Sequence, residues 1–211
     1  MNREFWTNRR VAGGLLVTSL LILLLALIIM IASGAIRGFP AMVQGSLAQA
    51  APYVKTFRLL ILLFLLAWIV QLLGFGLFTR LLLRAGGEQL GILAFTLILV
   101  ATILVIVDSA FRMNVELWAA QEAARTGSLP AVYEPLRTWT SSLFGVAERA
   151  HFLAVAGIGL GIIRTGLLAR WIGWLAIGWS LLWLLGGLAG DLADALPLVM
   201  PVIIGIVLLR R

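Results

Sequence analysis

Residues 11–36 read VAGGLLVTSLLILLLALIIMIASGAI, a run of 26 residues between Arg10 and Arg37 that contains no charge. A helix needs about 20 mainly apolar residues to cross a hydrocarbon core about 30 Å thick, so this run is long enough to cross a bilayer. Working outward from it, the same reading recurs five times: 59–79, 89–111, 142–163, 171–190 and 192–209. The fourth run carries Glu148, Arg149 and His151 in its first half, and the sixth is short and holds Pro197 and Pro201. Proline is tolerated in such helices when neighbouring groups satisfy the freed carbonyls. The expectation is therefore an all-α, polytopic membrane helix bundle of six transmembrane helices, forming one integral membrane domain over residues 1–211.

Composition supports that reading. Of 211 residues 62% are hydrophobic and only 12% charged, with a mean hydropathy of +1.09. A soluble domain is about half apolar and a quarter charged. The net charge of +7 comes almost wholly from arginine, Lys55 being the single lysine. Such a balance is expected from cationic loops that orient a membrane protein, and nucleic acid is not expected as a partner. There is no cysteine, which removes disulfides, zinc–thiolate centres and iron–sulfur clusters. The first run greatly exceeds the roughly 7–15 apolar residues of a signal-peptide core and reads as a retained anchor.

Six spans place both termini on one side. With the termini inside, the inner face holds Arg3, Arg9, Arg10, Arg80, Arg84, Arg164, Arg170, Arg210 and Arg211 against Glu4 and Glu88. The outer face holds seven cations and seven acids. The excess of cations in short inner loops makes both termini cytoplasmic.

Outside, only the connection 113–141 is large. Asn114–Arg125 is rich in helix-forming Ala, Glu and Gln, and Thr126-Gly127-Ser128-Leu129-Pro130 stops that helix before another begins. An extramembrane helical hairpin between helices 3 and 4 is expected. The loop 38–57 is expected to hold a short helix resting on the membrane surface.

Candidate functional groups collect near the outer boundary. Asp108, Arg112 and Glu116 stand four apart, and Glu148 and His151 three apart, so each set shares a helix face. Ionisable groups in membrane segments are functional candidates because an unpaired charge in lipid is costly. One reading joins Asp108, Glu148 and His151 into a metal-dependent enzyme site. Glu-x-x-His occurs in di-iron bundles, but those need two such motifs and this chain has one histidine. The plainer reading is an interfacial ion-pair network in which Arg112 and Arg149 neutralise Asp108, Glu116 and Glu148. No metal, haem or other cofactor is expected, since no Cys-x-x-Cys-His run, phosphate loop or nucleophile elbow occurs.

Trp179 and Trp183, four apart and deep in the fifth span, either line a lipid, quinone or carotenoid groove or pack the core. Ala150, Ala154, Gly157 and Gly161 form a small-residue stripe, with Gly159 beside it. Small side chains let membrane helices approach closely, so the fourth span is expected at the centre of the bundle.

The stretch RTGLLARWIGWL, residues 164–175, precedes a glycine-rich apolar span, and Leu196-Pro197 opens a last short helix. This pattern resembles the DUF4386 family of bacterial six-span membrane proteins, whose function is largely unassigned. Ala169 stands where the family's basic loop carries proline. The arginine and glutamate of the family's third span have no counterpart in the middle of 89–111. The resemblance implies a six-span fold in the bacterial cytoplasmic membrane and no particular chemistry. The leading functional expectation is a non-enzymatic module that binds a lipid-like ligand or a partner membrane subunit, a second copy included, through its outer face. A small-solute transporter or channel is the alternative and would need a polar cavity reaching the midplane.

Overall fold

A computed structural model describes residues 3–39, 47–186 and 199–210. The chain forms α1 (Arg3–Ala32), a 3-10 turn (Ala35–Arg37), a 3-10 helix (Leu47–Tyr53), α2 (Val54–Arg84) and α3 (Glu88–Phe111). A π-helical turn (Arg112–Glu116) leads into α4 (Leu117–Thr126), followed by α5 (Tyr133–Thr165), α6 (Arg170–Gly186) and α7 (Val199–Arg210). No strand occurs among the described residues.

Leucine, isoleucine and alanine carry these helices, and glycine follows α4 at the stop expected from residues 126–130 and follows α5 as well. Gly127 and Gly166 adopt φ of 77° and 65°, a left-handed conformation that costs glycine no Cβ clash. Each returns its amide to the helix just completed, Gly127 to the Ala123 carbonyl and Gly166 to that of Ile162, both at 2.9 Å.

Among the described residues four helices, α1, α2, α3 and α5, are long and apolar enough to cross a membrane, where six spans are expected. α6 has 17 residues, or about 25 Å of helix, and α7 has 12, about 18 Å. Either length falls short of a hydrocarbon core of about 30 Å. The expected spans 171–190 and 192–209 include residues 187–198, which lie outside the described residues, as do Gly187, Asp191, Asp194 and Pro197.

The distribution of polarity is inverted relative to a soluble protein. Large aliphatic side chains stand exposed along the helices, Ile28 at 62% and Leu185 at 83% among them. Meanwhile Ser19, Gln71, Thr79, Thr102, Asp108, Ser109, His151 and Ser180 are buried. In water, exposed apolar area on this scale marks an interaction surface or an aggregation hazard. Facing hydrocarbon, it is the ordinary exterior of a membrane helix.

The chain divides into two compact units. Unit 1 comprises Met1–Leu20, Trp68–Ile103 and Val146–Arg211, and unit 2 comprises Leu21–Ala67 and Leu104–Gly145. Unit 1 is built on one core in which Leu16 of α1, Phe75, Phe78 and Leu82 of α2, and Ile98 of α3 take part. Ile158 and Ile162 of α5, Ile172 of α6 and Ile204 of α7 complete it. Two crossings within it bring backbones together. A Cβ on Gly159 of α5 would lie 2.6 Å from the Gly173 carbonyl oxygen of α6, and one on Gly173 would lie 2.5 Å from that of Gly159. Gly13 of α1 and Gly205 of α7 meet similarly, at 2.8 and 2.9 Å. Close approach of this kind replaces the hydrophobic effect as the source of cohesion between helices in lipid.

The stripe Ala150, Ala154, Gly157 and Gly161 makes looser contacts. A Cβ on Gly157 would meet Ala94 at 3.6 Å, and one on Gly161 would meet Leu82 at 3.4 Å, both ordinary packing distances. The backbone contact belongs to Gly159, two residues from Gly157 and so on the opposite side of the helix. α5 is the most enclosed of the long helices: 56% of its most apolar stretch is buried, against 17–33% in the other three.

In unit 2, Leu47 packs with Ala119, Ala120 and Tyr133, while Ala35, Ala50, Val54 and Phe57 gather with Leu117. The short helix expected in the loop 38–57 therefore exists at Leu47–Tyr53. It turns its apolar residues onto α4, because Leu47 and Ala50 match the alanine face of that helix.

Candidate functional site

Two polar centres lie inside the protein, one in each unit. In unit 2, the Arg112 Nε–H donates to Asp108 Oδ2 at 2.8 Å. The pair stands at i,i+4, where helix geometry brings the two side chains together. The Asp108 side chain is 2% exposed and that of Arg112 39%. The guanidinium carbon also lies 5.6 Å from the centroid of the Phe144 ring, within reach of a cation–π interaction. Arg112 opens the π-helical turn that ends at Glu116, a distortion that costs regular hydrogen bonding and is frequent at functional sites.

Glu116 is 7% exposed and accepts a long hydrogen bond, 3.4 Å, from the Tyr133 hydroxyl. The Tyr133 ring in turn stacks on Phe111, at 6.4 Å and 18°. Glu116 closes the π-helical turn that follows α3. Trp118 and Trp139 stand on the exterior of this unit, 45% and 54% exposed.

Unit 1 holds a different kind of centre. His151 of α5 is fully buried. Its ring meets Trp68 and Phe75 of α2 edge-on, with centroids at 5.2 and 6.2 Å, and Phe152 at 5.9 Å. Phe152 stacks on Trp183 of α6 at 6.2 Å and 13°, and Trp179 lies 5.9 Å from Trp183. The two tryptophans singled out from the sequence therefore belong to a continuous aromatic layer. Neither indole nitrogen has a hydrogen-bond partner.

Gln71 sits between Trp68 and Phe75 at helical spacings of three and four, on the α2 face that covers His151. It is 1% exposed, and neither its amide nitrogen nor its amide oxygen has a hydrogen-bond partner.

The sequence-derived candidates fall in both units. Asp108, Arg112 and Glu116 belong to unit 2, and Glu148, Arg149 and His151 to unit 1. Arg149 is exposed and takes no part in the ion pairs found among the described residues. Among those residues no group of three or more His, Cys, Asp or Glu side chains is placed to hold a metal ion. The donor set Asp108, Glu148 and His151 gains no support as a metal site.

Sequence reasoning missed Trp68, Gln71 and Phe75. A signal was present: Gln71 is the single amide side chain between Arg58 and Arg80. The chain matches no family model, no curated protein and no solved structure.

Proposed function

We propose that this chain is a six-span protein of the bacterial cytoplasmic membrane with both termini inside, in line with the family resemblance of residues 164–175. We infer that it works as a non-enzymatic module whose outer face takes a lipid-like ligand. One observation carries the reading. Unit 2 holds an internally braced polar centre, exposes two indoles, Trp118 and Trp139, and leaves the Arg112 guanidinium partly exposed. Indoles settle at headgroup level, and a guanidinium presents several donors to an acidic or phosphate oxygen. The combination suits an amphipathic molecule with an anionic head.

A transporter is less well supported. The polar groups of the unit 1 centre, Gln71 and His151, are closed over by Trp68 and Phe75.

Native mass spectrometry of protein extracted in mild detergent tests the reading. A retained lipid is expected, and it is lost in a variant carrying Trp118→Ala and Trp139→Ala. Extraction free of lipid would overturn the proposal, and a retained protein would point to a partner subunit instead. Threading is tested separately. Arg80→Cys and Gly127→Cys, each placed singly in this cysteine-free chain, should react with an impermeant maleimide from opposite compartments. Labelling of both from one side would refute the six-span arrangement.

A further inference from the structure

One end of unit 1 gathers cations that form no ion pair with the described protein groups. The start of α1, the α2–α3 turn, the α5–α6 turn and the finish of α7 make up this end. A Cβ on Gly87, in the first of those turns, would lie 2.9 Å from Thr165 Cγ2 at the close of α5. Arg10, Arg80, Arg84, Arg164, Arg170 and Arg210 are all exposed there, and none forms an ion pair among the described residues. Against them stand Glu88, which opens α3, and Glu4 in the first turn of α1.

The corner between α5 and α6 adds a second feature. Gly159 and Gly173 bring the two backbones together. Arg164 lies five residues beyond that crossing and Arg170 three before it, about 7 and about 5 Å along their axes toward the same end. From Arg170 onward, α6 turns one apolar face outward: Trp171, Trp174, Leu175, Leu182 and Leu185 are 41 to 83% exposed. Their helical spacing keeps them in a single lane, about 21 Å long. Gly178 leaves a notch in it, being exposed and so placed that a Cβ would meet nothing within 4 Å.

We propose that this corner binds an anionic phospholipid, with the phosphate at Arg164 and Arg170 and an acyl chain laid along the α6 lane through the notch at Gly178. Charge selects the head, since exposed cations without protein partners attract anionic headgroups and a guanidinium matches phosphate oxygens with paired donors. The lane selects a lipid over an acidic protein. The first turn beyond Arg170 already presents indoles, which settle at headgroup depth, and leucines that suit hydrocarbon follow. A soluble anion would use the arginines and leave the lane empty. The site shares no residue with the indoles and guanidinium of unit 2 and does not rest on the proposed function.

The test is native mass spectrometry of the full chain, delipidated and offered equal amounts of phosphatidylglycerol and phosphatidylcholine with matched acyl chains in mild detergent. One phosphatidylglycerol should be retained in preference to phosphatidylcholine. Arg170→Gln should weaken that retention about fivefold, and Arg164→Gln added to it should weaken it further by about as much. Both side chains are exposed, so the substitutions leave packing untouched. Arg10→Gln removes the same charge from the same end, away from the corner, and should leave retention nearly unchanged. Equal losses from Arg10→Gln and Arg170→Gln would mean a diffuse field and overturn the site. Gly178→Phe fills the notch without meeting another group and should also release the lipid. Unchanged retention in that variant overturns the acyl-chain lane and with it the proposal, as does a lack of preference for phosphatidylglycerol or an acidic protein retained in its place. Retention that survives Trp118→Ala with Trp139→Ala but not Arg170→Gln supports this site whatever becomes of the outer-face reading. Retention lost only in the indole variant removes this site and leaves the proposed function intact.

Discussion

Asp108 and Gln71 are both almost wholly buried polar residues on long apolar helices, but only Asp108 has its partner in place. Its carboxylate receives the Arg112 Nε–H from one helical turn away, and Phe144 supports the guanidinium. Gln71 is buried at helical spacing from Trp68 and Phe75, and neither its amide nitrogen nor its amide oxygen has a hydrogen-bond partner. A charge in low dielectric has to be neutralised for the fold to survive. A neutral amide can be left unsatisfied at a tolerable cost. The unit 2 centre is therefore a structural necessity that can also present a surface, whereas the unit 1 centre carries a cost that stability alone does not explain.

That contrast breaks most readily at Arg112. Arg112→Leu takes the guanidinium away from the Asp108 carboxylate, and a loss of about 3 kcal/mol is expected, read as a large fall in the thermal midpoint in detergent. A variant as stable as the parent would show that Asp108 does not depend on this partner.

Packing provides the next largest effect. Gly159→Val drives a side chain into the Gly173 carbonyl and should cost about 2–3 kcal/mol. Gly157→Ala, facing open packing distance, should lie within about 1 kcal/mol of the parent. Equal losses would mean that the stripe, and not the crossing, sets the spacing of α5.

Gln71→Met should go the other way, raising stability by about 1–2 kcal/mol as the unsatisfied amide disappears. A destabilised but folded variant would place Gln71 among the structural residues.

Much of the architecture was legible because its causes are local. The stop at Thr126 with Gly127 beyond it, the hairpin and the long apolar helices follow from neighbours a few residues apart. The Asp108–Arg112 pair was legible for the same reason, being a single turn of one helix. The aromatic surroundings of His151 were not legible, because Trp68 and Phe75 come from α2, some eighty positions earlier in the chain. The role of Gly159 was hidden behind the more regular stripe beside it.

By itself the sequence determined that apolar helices form and that one of them stops at Thr126 before Gly127, since hydropathy and backbone sterics act residue by residue. Only the tertiary structure decided which helices touch through bare backbone, that Leu47–Tyr53 folds onto α4, and that an imidazole of α5 sits among aromatic rings of α2. Those outcomes depend on which faces meet across helices, and one strand of text carries no distance between them.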